Sequence, residues 1–216
     1  MSTLGDATDV LHSKQGGVGI GFHGENKINL DQAERTQDIL LGGPIGATES
    51  DRIFIKKHKN NKNIQRDKIK FTATTIEIDG LKFPRATVRY DDIKDTPGLS
   101  LDNNVYQKNG YDYFTFDAVK QLSKVGKRIP TKDQRQKAAD VFGGDYGLLG
   151  ELFNYPKNGL HLSSGDTDLV DDVVTLWSST PYDDYCIYSV YFNANNGGNI
   201  NWSYRRNACS LVFLQE

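Results

Sequence analysis

The side chains best suited to metal binding or nucleophilic chemistry are four histidines (His12, His23, His58, His161) and two cysteines (Cys186, Cys209). The histidines are scattered. No His-x-x-x-His pair occurs and no carboxylate stands at facial-triad spacing, so the ligand pattern of an iron or zinc enzyme is missing. The cysteines form no Cys-x-x-Cys unit and read as two free thiols. Asp171-Asp172 and Asp183-Asp184 are adjacent pairs, and adjacent residues point different ways on any regular element; they read as solvated charge, not as an acid and a base. Asp166, Asp168, Asp171 and Asp172 leave one option open, a structural calcium held by oxygens. Gly19 to Gly24 fits GxGxxG formally. The following Glu25-Asn26-Lys27-Ile28-Asn29 is no helix start, and no Gly-Lys-Ser/Thr occurs, so these glycines read as turns. The expectation is a protein that is not an enzyme and carries no cofactor.

What stands out instead is the tract from Trp177 to Phe213. It opens on Trp177-Ser178-Ser179-Thr180, runs through residues dense in Tyr, Asp, Asn and Ser, and closes on Trp202 and an apolar strand. Tyrosine gives large amphipathic contact area at low entropic cost, while Ser and Asn adapt their hydrogen bonds. Such a composition suits a recognition surface.

The elements that must position this tract are read from pattern. The chain has 216 residues, a net charge of −2, 37% hydrophobic and 25% charged residues, values that support a core and give no pull toward nucleic acid. No apolar run approaches the ~18 residues of a membrane span, and no secretion signal is legible at the N-terminus. Asp31 and Glu34 predict a short helix from Gln32 to about Leu40. Arg52 to Ile55, Ile69 to Ile78 and Leu81 to Tyr90 read as strands, the last two joined by an Asp79-Gly80 hairpin turn. Arg52 to Lys70 holds eight Lys/Arg against one acid, Asp67, and reads as a solvated, charge-protected edge. Thr115 caps a helix with Phe116, Val119, Leu122 and Val125 on its apolar stripe, ended by Gly126. Thr131 and Gln134 form the capping box of a second helix that turns Ala138, Ala139 and Phe142 inward and stops at Gly143-Gly144. Asp145 to Asp172 reads as a long irregular connection. The order is α+β.

Gly126-Lys127-Arg128-Ile129-Pro130-Thr131 followed by Ala138-Ala139, and Trp177-Ser178-Ser179-Thr180 followed by Tyr188-Ser189-Val190-Tyr191-Phe192-Asn193, carry a resemblance. They resemble the "GKRLPT…AA" and "WSST…YxVxFN" segments of C-type-lectin-fold domains of the formylglycine-generating/sulfatase-modifying kind. Their relatives include the variable proteins of diversity-generating retroelements, such as phage tropism determinants. The resemblance covers residues 86–216. It implies a C-type lectin fold for 86–216 and leaves residues 1–85 unplaced; their own pattern reads as a small β-rich docking or oligomerisation domain. Arg135 stands where the family often has Trp, and Leu211-Val212 where it has an Arg in the last strand. In such systems template adenines are randomised at Asn codons, which can never become Lys, Glu, Gln, Met or Trp. The chain has 35 of these residues, yet Trp202 is the single one between Ser178 and Leu214, where roughly six would match the chain average.

The resemblance implies a receptor-binding protein of a phage tail, diversified by a retroelement, displayed on a virion or cell-surface assembly after synthesis in the cytoplasm. Its partner would be a host cell-surface protein or glycan, with no nucleic acid and no membrane insertion, and a homotrimer is the natural tail-tip assembly. The alternatives are a non-diversified lectin-fold adhesin or structural virion protein and, further off, an oxidative enzyme of the formylglycine-generating type. Strand alternation places Val190 and Phe192 in the core and turns Ile187, Ser189 and Tyr191 outward. With the loop Tyr182, Asp183, Asp184 and Tyr185, and with Asn193, Ser203, Tyr204 and Arg205, these form the expected contact surface. Trp177 and Trp202 are expected to brace the scaffold beneath it.

Overall fold

The computed structural model describes residues 44–193 and 197–216. The GxGxxG string and the helix expected over Gln32 to Leu40 lie outside the described residues. The first element is a helix, α1 (Glu49–Lys57), not the strand expected at Arg52 to Ile55. Thr48 and Asp51 form a capping box, acids sit in the first turn and lysines in the last, and only Phe54 of the apolar trio is buried. Asp51, buried, also takes a bidentate bond from Arg85 (3.0 and 2.7 Å), which ties the helix start to the chain beyond the first sheet.

That sheet is a meander of β1 (Ile69–Phe71), β2 (Thr75–Ile78) and β3 (Leu81–Pro84). The expected Ile69 to Ile78 strand is broken by a turn at Thr72, whose hydroxyl accepts from the Thr74 and Thr75 N–H groups. Asp79 and Gly80 form the expected two-residue turn, with φ of 48° and 81°, and set Ile78 opposite Leu81. Next come β4 (Val105–Lys108) and β5 (Tyr111–Thr115), then α2 (Phe116–Lys124) and α3 (Lys132–Asp140). Thr115 caps α2, and Thr131 with Gln134 makes the capping box of α3, both as expected. Within the stretch expected to be irregular lies a further helix, α4 (Tyr146–Phe153), capped by the Asp145 carboxylate, which accepts from the Gly147 and Leu148 N–H groups.

The remaining strands are β6 (Leu160–His161), β7 (Thr167–Asp168), β8 (Val173–Pro181), β9 (Cys186–Asn193), β10 (Gly197–Tyr204) and β11 (Ala208–Cys209). They form an antiparallel sheet in the order β10-β9-β8 and a five-stranded sheet, β4-β5-β11-β6-β7. Two apolar clusters flank the three-stranded sheet. One gathers Phe54, Ile76, Ile78 and Phe83 with Ala138, Phe142, Leu149, Phe153, Val190 and Phe192. The other holds Phe114, Phe116, Leu122, Ile129, Trp177, Ile187 and Leu211. The chain is therefore α+β, but the boundary expected at residue 85 does not divide it. The side chains of β2 and β3 share a core with β9, and the compact unit runs from Gly46 to Glu216. Among the described residues no helix is long and apolar enough to cross a membrane.

Candidate ligand-binding surface

The tract beginning at Trp177 is held by the two helix-capping motifs upstream of it. Strand β8 runs in register with β9 from Val173 opposite Asn193 to Trp177 opposite Ser189, then shifts before Pro181 meets Ile187. The residues of that irregularity are pinned one by one. Arg135 donates to the Trp177 carbonyl (2.9 Å), and the Ser179 N–H and hydroxyl donate to the carbonyls of Pro130 (3.1 Å) and Ile129 (3.0 Å). The Lys132 N–H donates to the Thr180 hydroxyl (3.0 Å). Trp177 itself is fully buried, its indole N–H on the Phe114 carbonyl at 2.5 Å. The two stretches that carry the family resemblance thus touch each other, and the contact aims the end of β8. Arg135 is buried with no carboxylate partner among the described residues; burial lowers its pKa to about 10.

Beyond Pro181 the chain turns back into β9. The Asp183 carboxylate accepts from the Tyr185 and Cys186 N–H groups, both at 2.7 Å, and Arg205 donates to the Asp183 carbonyl (2.9 Å). Asp183 and Arg205 therefore brace the loop. What the loop displays is Tyr182, 50% exposed, and Tyr185, 76% exposed. Beside them on β10 lie Trp202 and Tyr204, at 44% and 45%. The rings of Tyr182, Tyr188, Trp202 and Tyr204 form one continuous cluster, and Tyr185 joins Tyr204 in lining the recess beside it. Tyr182 stacks toward Trp202 (centroids 6.2 Å, 22°) and meets Tyr188 edge-on (5.2 Å), while Trp202 meets Tyr204 edge-on (5.5 Å). Cations rim it: Lys132 Nζ sits 4.5 Å from the Tyr188 ring centre, and the Arg206 guanidinium 5.3 Å from that of Tyr204. A shallow recess of about 370 Å³ between Asp184, Tyr185, Tyr204, Arg205 and Arg206 completes the surface.

Of the residues expected here, Tyr182, Asp183, Asp184, Tyr185, Tyr204 and Arg205 are brought together. Ile187, Ser189 and Ser203 are not: all three are buried, Ile187 against the Trp177 cluster and the two serines against each other (Oγ to Oγ 3.4 Å). Tyr191 is half-buried on that same face, and Asn193 lies at the opposite end of β9 from the aromatic cluster. The physical reason is that β9 is a central strand packed on both sides, so placing Val190 and Phe192 in the core does not turn their neighbours to solvent. The exposed face is instead the one that Val190 and Phe192 share with Tyr188. Helix α3 begins at Lys132, beside Tyr188, and past that point the sheet face is open.

Trp202 is likewise a correction. It stands in the exposed cluster and not beneath it, while Trp177 has the bracing role expected of both. Tyr188, Lys132 and Arg206 belong to the surface and were not anticipated. Their signal was the edge-strand character of residues 197–204, where Trp202 sits between Asn201 and Ser203 with no apolar neighbour. Cys186 and Cys209 are free and buried, and burial raises both thiols above their ordinary value. Of the basic residues from Arg52 to Lys70, Lys57, Lys68 and Lys70 pair with Glu151, Asp79 and Glu77, and Arg66 donates to the His58 carbonyl. Among the described residues no three His, Cys, Asp or Glu side chains converge as a metal site would need. Compared with known families, curated proteins and solved structures, the chain matches no family model, no protein and no structure.

Proposed function

We propose that this chain is a ligand-binding protein whose recognition surface is the aromatic cluster of Tyr182, Tyr188, Trp202 and Tyr204, with Tyr185 beside it. The observation that carries the reading is the exposure of four large aromatic side chains on adjoining strand ends that the structure otherwise pins closely. Exposed aromatic side chains that touch one another are costly in water, and Trp, Tyr and Arg are the residue types that dominate binding energy. Tyr182 and Tyr185 sit on a loop braced by Asp183 and Arg205, so little ordering entropy remains to be lost on binding.

The sequence motifs support a finer reading. The domain is C-type-lectin-like, not enzymatic, and serves as a phage tail receptor-binding protein whose C-terminal codons are varied by a retroelement. A host cell-surface protein or glycan is the partner, bound from a homotrimeric tail tip. The depletion of Lys, Glu, Gln and Met across Ser178 to Leu214 favours diversification over a fixed adhesin. The test is direct. The purified chain and a variant with Tyr182, Tyr185, Trp202 and Tyr204 all changed to Ala are labelled and applied to a panel of bacterial isolates. The chain should bind a subset of isolates, and the folded variant should bind none. Equal binding by both would remove the surface from the account.

A further inference from the structure

The register of β10 fixes which of its backbone groups are engaged. Arg205 N–H donates to the Tyr185 carbonyl (2.9 Å), whereas the Trp202 N–H turns to the Asn201 side-chain oxygen beside it (2.9 Å). Opposed residues of an antiparallel pair alternate between exchanging two backbone bonds and exchanging none. Counting back from Arg205, the residues facing β9 with both groups are Ser203, Asn201 and Asn199. Tyr204, Trp202, Ile200 and Gly198 therefore aim their N–H and C=O groups at the outer side, where the Tyr204 carbonyl already accepts from the Asn207 N–H (2.9 Å) and the Trp202 N–H can exchange its Asn201 partner for an incoming strand. β10 is the outermost strand of its sheet, and among the described residues no strand pairs with that side.

Proteins blunt such edges with lysine, proline, bulges or shortness. β10 uses none of these. Its eight residues, Gly-Gly-Asn-Ile-Asn-Trp-Ser-Tyr, carry no charge and no proline, and pair with β9 without a register shift. The residues with outward backbone groups are also the ones that supply the aromatic face, since Trp202 and Tyr204 alternate with Asn201 and Ser203. Main-chain pairing and side-chain contact are offered along one line.

We propose that this edge takes an extended segment of a protein partner as a fourth strand, paired along Gly198 to Tyr204 with its alternate side chains laid against Trp202 and Tyr204. The inference rests on the reading of the aromatic cluster as a recognition surface, and it names the form in which the ligand arrives. Charge selects the occupant. Arg205 and Arg206 line the recess beside Tyr204 against its single acid, Asp184. A second copy of the chain paired antiparallel would set Gly197 and Gly198 there and bring no carboxylate. A segment with Asp or Glu at its N-terminal end, also antiparallel, meets those cations.

The experiment is selection from a random linear peptide library on the folded chain, followed by measurement on Ile200→Pro and Ile200→Ala. Both variants lose the Ile200 side chain, but only proline removes an outward N–H, and it does so without breaking the β9 ladder. The expected peptides alternate apolar residues behind an N-terminal acid. They should slow amide exchange at Ile200, Trp202 and Tyr204, and lose roughly tenfold or more in affinity on Ile200→Pro but not on Ile200→Ala. If Ile200→Pro fails to fold, the exchange pattern on the unmodified chain decides alone. Peptides that depend on Trp202 yet leave those amides unprotected would overturn strand addition and leave the recognition surface standing. Absence of any enriched peptide would overturn the edge as a peptide site, with the surface judged separately by binding to cells. Self-association of the chain that Ile200→Pro abolishes would assign the edge to a second copy and overturn the proposal.

Discussion

Trp177→Ala and Trp202→Ala should separate two side chains that the sequence presents alike. Trp177 is fully buried, packed against the Phe116 ring, with its indole N–H on the Phe114 carbonyl. Removing a buried Trp side chain costs about 3–5 kcal/mol, and leaving the Phe114 carbonyl without its donor adds about 1–3 kcal/mol. The sum is on the order of 5 kcal/mol, a large share of the ~5–15 kcal/mol that holds a domain folded. Trp202 is 44% exposed and touches other rings of the surface, so its loss costs about 1 kcal/mol of pairing. Urea unfolding followed by far-ultraviolet circular dichroism reads both. Trp202→Ala should keep its midpoint near that of the unmodified chain with m unchanged, and Trp177→Ala should collapse the midpoint or fail to fold. Trp177→Phe, which keeps a ring but removes the donor, should fall between. On bound cells the order reverses, with Trp202→Ala losing about 2 kcal/mol of affinity. A Trp202→Ala variant as unstable as Trp177→Ala would refute the division of labour and make the aromatic cluster part of the scaffold.

Gly150→Ala should destabilise by about 1–2 kcal/mol, although helix propensity alone favours Ala by about 1 kcal/mol. A Cβ there would lie 2.7 Å from the Phe192 Cβ, and overpacking costs about 1–3 kcal/mol; a stabilised variant in urea would contradict the close seating of α4 on β9. Asp183→Ala removes the acceptor of two 2.7 Å bonds and should loosen the loop by about 1 kcal/mol, seen as faster amide exchange at Tyr185 and Cys186 with the core unchanged. His161 is buried, stacked on Tyr106 at 4.3 Å, and burial followed by the Lys108 charge lowers its pKa from 6.5. The unfolded chain then binds that proton more readily, so stability is full above about pH 6.5 and falls as the pH drops below it. His161→Phe should flatten that acid-side slope in urea midpoints taken from pH 7 to pH 5, and an unchanged slope would place its origin elsewhere.

The elements legible in the sequence were those whose ends are chemically marked. Thr115 and the Thr131–Gln134 box announce α2 and α3, and Asp79-Gly80 admits few conformations other than the turn it makes. The missed elements carry contradictory local signals. Ile53-Phe54-Ile55 has the β-branched character of a strand, yet Thr48 and Asp51 close a helix start around it. Gly147 and Gly150 argue against a helix until the sheet beneath shows why a side chain would not fit. The candidate surface was legible in composition and in the loop from Tyr182 to Tyr185, where Asp-rich turn chemistry marks exposure. On β9 it was not, because period-two alternation names two faces without saying that both are buried. The boundary expected at residue 85 failed for a related reason. β2 and β3 turn their apolar sides to a cluster built from far along the chain, where Phe83 meets Phe153, and sequence order hides that contact.

The central claim is tested most directly by deep sequencing of the DNA encoding Trp177 to Glu216 across a population carrying this gene. Variation concentrated at codons 182, 184, 185, 188, 204 and 206, with Trp177, Ile187, Ser189, Trp202 and Ser203 constant, is the expected result. It would mark the aromatic surface as the part of the molecule that changes with its ligand. A uniform sequence, or variation that falls equally on the buried codons 187, 189 and 203, would contradict the account.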